Sequence, residues 1–135
     1  MSVDVFVFLR KQDLPPVDAW QAQLDALGAL VRLDGGVDPR THTGYWPADL
    51  DGATSGFEFF TGSLSATFGP TAPPGIGDRD LVAQFVTHSD MRELKCSMLA
   101  AAALAEAGDG VVFDEDTEGT MTGAAFAAQA LAIDD

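Results

Sequence analysis

The stretch from Asp90 to Asp114 constrains the fold of this chain more than any other. Asp90, with Glu93 three residues on, forms a capping box at the start of a helix. Met91, Leu94, Met98, Ala101 and Ala105 share one face of that helix, with Leu104 at its edge. The run of alanines lets the helix lie close against a sheet, and Gly108 ends it. Gly110 to Asp114 (GVVFD) follows at once as a short strand. A helix joined to a strand by so short a link is secure as a pair, whatever the order of strands in the sheet.

The rest of the pattern extends this pairing. Val3 to Leu9 (VDVFVFL) is a β-branched and aromatic strand, apolar enough to be covered on both faces or central in the sheet. Pro15 and Pro16 open a helix whose apolar stripe is Val17, Trp20, Leu24 and Leu27, closed by Gly28. Ala29 to Leu33 reads as a short strand or the approach to one. Asp34 to Ser55 is polar, glycine-rich and irregular, the kind of long loop that is usually functional or mobile. Gly56 to Thr61 is a strand, and Leu64, Ala66 and Phe68 continue an extended reading. Gly69 to Asp78 is a breaker, Leu81 to Thr87 a further strand, and Thr122 caps a last helix carrying Phe126, Ala130 and Leu131.

This order predicts one α+β domain over residues 1–135. Its form is a ferredoxin-like or related sandwich: a mainly antiparallel sheet, two helices on one face and an extra C-terminal helix. With 47% apolar residues and nine Phe the chain can build a core. Cys96 is the one cysteine, which excludes an intramolecular disulfide framework and a cysteine-rich zinc site. That solitary cysteine, and a start (Met1-Ser2-Val3-Asp4) with no basic leader, point to the cytoplasm. No apolar run reaches the roughly 18–20 residues of a membrane span.

Charge bounds the partners. Asp and Glu number 21 against 7 Lys and Arg, a formal net charge of −14. Such a surface repels nucleic acid and anionic membranes and attracts basic proteins. The same acidity also fits a salt-adapted accessory domain with no partner at all.

Few residues offer chemistry. Tyr45 and Trp46 sit in the 34–55 segment with Asp49 and Asp51, and Tyr and Trp are enriched at interface centres. Trp46 either presents itself to a partner or plugs the end of the sheet. Asp114, Asp116, Glu118 and Gly119 reproduce the opening of a calcium loop, but Ala125 stands where the bidentate acid is needed. The run Asp114, Glu115, Asp116 and Glu118 therefore reads as an acidic turn and binding candidate, with Asp114, Asp116 and Glu118 only weak metal ligands. His42 and His88 are weak candidates for a general base. Phosphate-binding, zinc-hydrolase and serine-hydrolase signatures are absent, and no cofactor is expected.

From Phe57 onward the chain resembles a set of small bacterial α+β proteins of unassigned function. The likeness rests on the F-E-F-F strand, the capped helix Asp90 to Ala107, the GVVFDEDTEG strand and turn, and the short final helix. In size and charge such proteins are similar to immunity proteins, which neutralise toxins by presenting an acidic face to a basic site. The expectation is a non-enzymatic acidic module that neutralises or regulates a basic protein. The alternatives are a small enzyme or ligand-binding domain with a pocket under the 34–55 loop, and the salt-adapted accessory domain. An unpaired strand edge would also allow a homodimer.

Overall fold

A computed structural model describes residues 2–88, 90–114 and 119–134. Seven strands form one sheet, antiparallel at every pairing, in the order β2-β3-β4-β5-β1-β6-β7. They are β1 (Val3–Leu9), β2 (Val31–Leu33), β3 (Gly44–Leu50), β4 (Ala53–Ser63), β5 (Leu81–Thr87), β6 (Val111–Asp114) and β7 (Thr120–Met121). Four helices accompany them: α1 (Val17–Ala26), α2 (Leu64–Thr67), α3 (Met91–Ala107) and α4 (Gly123–Leu131). The fold is α+β, with more strands than a β-α-β-β-α-β skeleton supplies.

β1 is interior to the sheet, between β5 and β6, and covered on two faces. Val5, Val7 and Leu9 point into the main core with the aromatic residues of β3, β4 and β5 and the helix side chains. Phe6 and Phe8, of opposite parity, join Ile76 and Val82 in a second cluster, where Leu64, Phe68 and Phe113 pack against them. The Phe6 and Phe68 rings meet edge-on at 5.0 Å. Demand for that cover explains why the expected extension of β4 through Phe68 does not occur. Ser63 instead caps α2, its hydroxyl accepting from the Ala66 amide at 3.2 Å, and the chain turns back over the sheet.

α3 forms where its capping sequence dictates. The Asp90 carboxylate accepts from the amides of Arg92 at 2.8 Å and Glu93 at 3.2 Å. Ten consecutive residues of α3, Cys96 to Ala105, are buried, because the helix packs on the sheet, on α1 and on α4 at once. Alanine permits that crowding. A β-carbon on Gly123, at the start of α4, would lie 2.3 Å from the Ala102 carbonyl oxygen, so only glycine allows this approach. α1 ends as its glycine predicts: Gly28 takes φ 73° and the Ala29 amide reaches the Leu24 carbonyl at 3.1 Å.

The expected irregular loop from Asp34 to Ser55 is largely a β-hairpin. Leu50 pairs with Ala53 across a two-residue turn in which Asp51 has φ 52° and Gly52 φ 80°. That is the positive-φ pair an Asp-Gly hairpin turn requires. Before it Trp46, Ala48 and Leu50 are buried while Tyr45, Pro47 and Asp49 face out, a half-buried strand alternation. Pro47 obscured the pattern, and its place shows why it is tolerated. Its carbonyl accepts from the Asp34 amide, so its missing N–H falls on the side where β2 has already ended.

Both sheet edges are blunt. β7 has two residues and β2 three. The β2 edge is also occupied: the Gln21 carboxamide of α1 donates to the Val31 carbonyl and accepts from the Leu33 amide, each at 2.8 Å. One side chain thus takes the hydrogen bonds another strand would make. On the part of β3 that β2 does not reach, His42 donates its Nε2–H to the Tyr45 carbonyl at 2.8 Å.

Candidate functional site

The β3–β4 turn, the end of α1 and the end of α4 converge on one exposed surface. Its centre is Leu30, 65% exposed in the link between α1 and β2. The Asp51 amide donates to the Leu30 carbonyl at 2.7 Å, which fixes the turn against that link. Two shallow cavities meet at Leu30 and Asp51. One, of about 300 Å³, is walled by Asp25, Arg32, Asp49 and Gly52. The other, of about 110 Å³, is walled by Leu50, Lys95, Leu99 and Leu131. Leu131, at the end of α4, is 46% exposed.

The local reasons for this surface are in the sequence. An αL glycine closes α1, and Leu30, one residue before β2, faces out while Val31 and Leu33 of that strand face in. Asp49 alternates out of β3 in the same way. Asp51 occupies the first positive-φ position of the turn, which Asp tolerates and most residues do not. Two apolar side chains are thereby left bare, with the acids Asp25, Asp49 and Asp51 and the bases Arg32 and Lys95 about them. Interaction surfaces take the form of a contiguous apolar patch with a polar rim, and Leu30 and Leu131 line one cavity together.

The sequence candidates distribute unevenly over the molecule. Asp49 and Asp51 belong to this surface. Tyr45 is 49% exposed, its hydroxyl donating to the Ser55 carbonyl at 2.9 Å and lying 3.5 Å from Glu93 Oε2. Burial together with the Glu93 charge raises its pKa above the ordinary phenol value. Trp46 lies in the core with no exposed surface, edge-on to Trp20 at 5.0 Å and to Phe59 at 5.3 Å. It packs; as seated, it offers a partner nothing. Asp114 ends β6, far in sequence and strand order from β3. Glu115, Asp116 and Glu118 lie outside the described residues, so the acidic-turn and calcium-loop readings rest there on sequence alone.

Neither histidine lines the two cavities at Leu30. His42 is spent on the Tyr45 carbonyl, with its ring 5.4 Å from that of Trp46. His88 is within hydrogen-bond reach of a carboxylate, Glu58 at 3.0 Å, but its side chain is 65% exposed. A pair so open to solvent has no dry site in which to move a proton to a substrate. Cys96 is buried, and burial pushes its thiol pKa up to about 11, the reverse of an activated nucleophile. Among the described residues no three His, Cys, Asp or Glu side chains are grouped to hold a metal ion, and no helix is long and apolar enough to cross a membrane.

Sequence reasoning missed Leu30, Leu131 and Asp25. The first two are ordinary leucines in apolar contexts, and only the three-dimensional meeting of α1, α4 and the turn sets them apart. The Asp-Gly pair at 51–52 was a legible hairpin signal that would have placed Asp49 and Asp51 on one exposed rim. No protein-family model, no curated protein and no solved structure matches the chain.

Proposed function

We propose that this protein is a non-enzymatic binding module that docks a basic protein segment on the Leu30–Leu131 surface. The observation that carries the reading is the exposure of Leu30 on a rim where three acids, Asp25, Asp49 and Asp51, outnumber two bases, Arg32 and Lys95. An apolar centre supplies anchoring area, and its acidic rim selects a partner whose own apolar residues are flanked by Lys or Arg. The overall charge of −14 speeds that encounter and rejects acidic competitors. An immunity-like role, neutralising or regulating a basic protein, follows from the same electrostatics. The blunt strand edges favour a side-chain surface over strand addition as the mode of contact.

Parallel affinity captures test this with three baits: the intact protein, an Asp49→Asn/Asp51→Asn double variant, and Leu30→Ser. Asn keeps the turn conformation while removing charge. The expected result is one basic protein held by the intact bait at low salt, released at high salt, and depleted on both variants. Equal retention on all three baits, or no retention at any salt, contradicts the proposal.

A further inference from the structure

Another cavity lies at a different place in the fold, and its chemistry is the opposite of the surrounding surface. It measures about 420 Å³ and is lined by Lys11, Leu14, Arg40, Thr61, Gly62, Ser63, Asp80 and Leu81. That volume falls within the roughly 300–1,000 Å³ of small-molecule pockets. Leu14 and Leu81 are buried and give it an apolar floor.

Its walls are held by hydrogen bonds. The Lys11 amide donates to Asp80 Oδ1 at 3.0 Å, which joins the turn after β1 to the start of β5. The Leu64 amide donates to the Asp80 carbonyl at 2.8 Å and fixes the end of β4 beside it. Arg40 rides on a turn organised by Asp38, whose carboxylate accepts from the Arg40 amide at 2.9 Å and whose carbonyl accepts from the His42 amide at 2.9 Å. A cavity framed this way loses little entropy on taking a ligand.

The charges are what single it out. Among the described residues neither the Lys11 ammonium nor the Arg40 guanidinium is paired with a carboxylate, in a chain where acids outnumber bases threefold. Neighbouring Arg10, by contrast, is claimed by Asp13, Asp78 and Asp109. Asp80 spends one oxygen on the Lys11 amide, and its other oxygen accepts no hydrogen bond from a described residue. The lining thus includes two cations paired with no carboxylate and one half-used carboxylate, beside an apolar floor. A polyanion would be repelled both by Asp80 and by the net charge of the chain. A molecule with a carboxylate for Lys11 and Arg40, an ammonium for Asp80 and a small apolar body for Leu14 and Leu81 complements each charged and apolar side chain of the lining.

We infer that this cavity binds a small zwitterion of the amino-acid class with an apolar side chain. The inference is independent of the Leu30 surface and stands or falls without it.

The test is a titration of the isotopically labelled protein, followed by amide chemical shifts, with four probes: L-leucine, 4-methylpentanoate, isoamylamine and inorganic phosphate. Isoamylamine lacks the carboxylate and 4-methylpentanoate the ammonium. The expected result is saturable shifts at residues 11–14, 40, 61–63 and 80–81 with L-leucine, at a Kd of about 1 mM or tighter. Each truncated probe binds at least about tenfold more weakly, the loss of one charged contact. Arg40→Gln and Asp80→Asn, both at exposed positions, leave the fold intact and each weaken L-leucine to a similar extent. The inference is overturned if L-leucine gives no saturable shifts at these residues. It is equally overturned if phosphate or either truncated probe binds as well as L-leucine, or if neither variant changes its affinity.

Discussion

Asp51 gives its backbone amide to the carbonyl of Leu30 at 2.7 Å, and this bond holds a charged hairpin turn against an exposed leucine. The relationship couples three things that the chain keeps far apart: the αL end of α1, the Asp-Gly turn between β3 and β4, and an apolar side chain with no intramolecular reason to be outside. The turn keeps its geometry only because Asp51 and Gly52 accept positive φ. Charge and geometry at position 51 are therefore separable, and Asp51→Asn removes the first while keeping the second.

Trp46 is a structural residue. Its indole is fully buried against Trp20, Phe57 and Phe59. Trp46→Ala is expected to destabilise the protein by about 3–5 kcal/mol, read as a lowered midpoint in urea unfolding. A variant with an unchanged midpoint would show that the ring is not part of the core.

Gly123 sets the distance between α3 and α4. A methyl group there would meet the Ala102 carbonyl oxygen at 2.3 Å and the Glu106 side chain at 2.8 Å. Gly123→Ala is expected to cost about 1–3 kcal/mol through overpacking, although alanine is otherwise the better helix residue. Thermal unfolding measures this directly; a rise in Tm would contradict the packing described.

Much of this architecture could be read from the chain, and the exceptions have physical causes. The α3 capping sequence, the αL glycine after α1 and the two-faced apolarity of β1 each carry local signals that the tertiary structure reinforces. β3 was hidden because Pro47 normally argues against a strand, and only the shortness of β2 makes it harmless. α2 was hidden because Leu64, Ala66 and Phe68 also fit a strand, and the need to cover Phe6 and Phe8 decided the matter. The Leu30 surface was half legible. Acids at 49 and 51 announce themselves, whereas an exposed Leu30 looks in sequence like any buried one.

Gln21 guards the β2 edge. Its two hydrogen bonds to Val31 and Leu33 replace those of a missing neighbour. Gln21→Ala is expected to lower stability by about 1–3 kcal/mol and to produce concentration-dependent self-association in analytical ultracentrifugation. A variant that stays monomeric at all concentrations would mean the edge is already protected by its length alone.

Cys96 links stability to alkaline pH. Burial raises its pKa from 9.0 to about 11, so the folded state holds the proton more tightly than the unfolded chain does. That contribution is complete below about pH 9 and is lost as pH rises through about 11. The raised pKa of Tyr45 acts in the same direction. At pH 8 the native thiol is expected to resist a disulfide reagent that modifies it at once in denaturant, and Cys96→Ala is expected to reduce the alkaline loss of stability. Rapid labelling of the native protein would contradict the buried placement.

The acidic-rimmed leucine surface is the central claim, and an amide chemical-shift titration with a synthetic amphipathic Leu/Lys peptide tests it most directly. The account predicts shifts confined to residues 25–32, 49–52 and 131, weakening as salt rises and reduced in Asp49→Asn/Asp51→Asn. Shifts scattered over every acidic part of the molecule, unchanged in that variant, would mean that the charge serves the whole surface and that Leu30 is no docking centre.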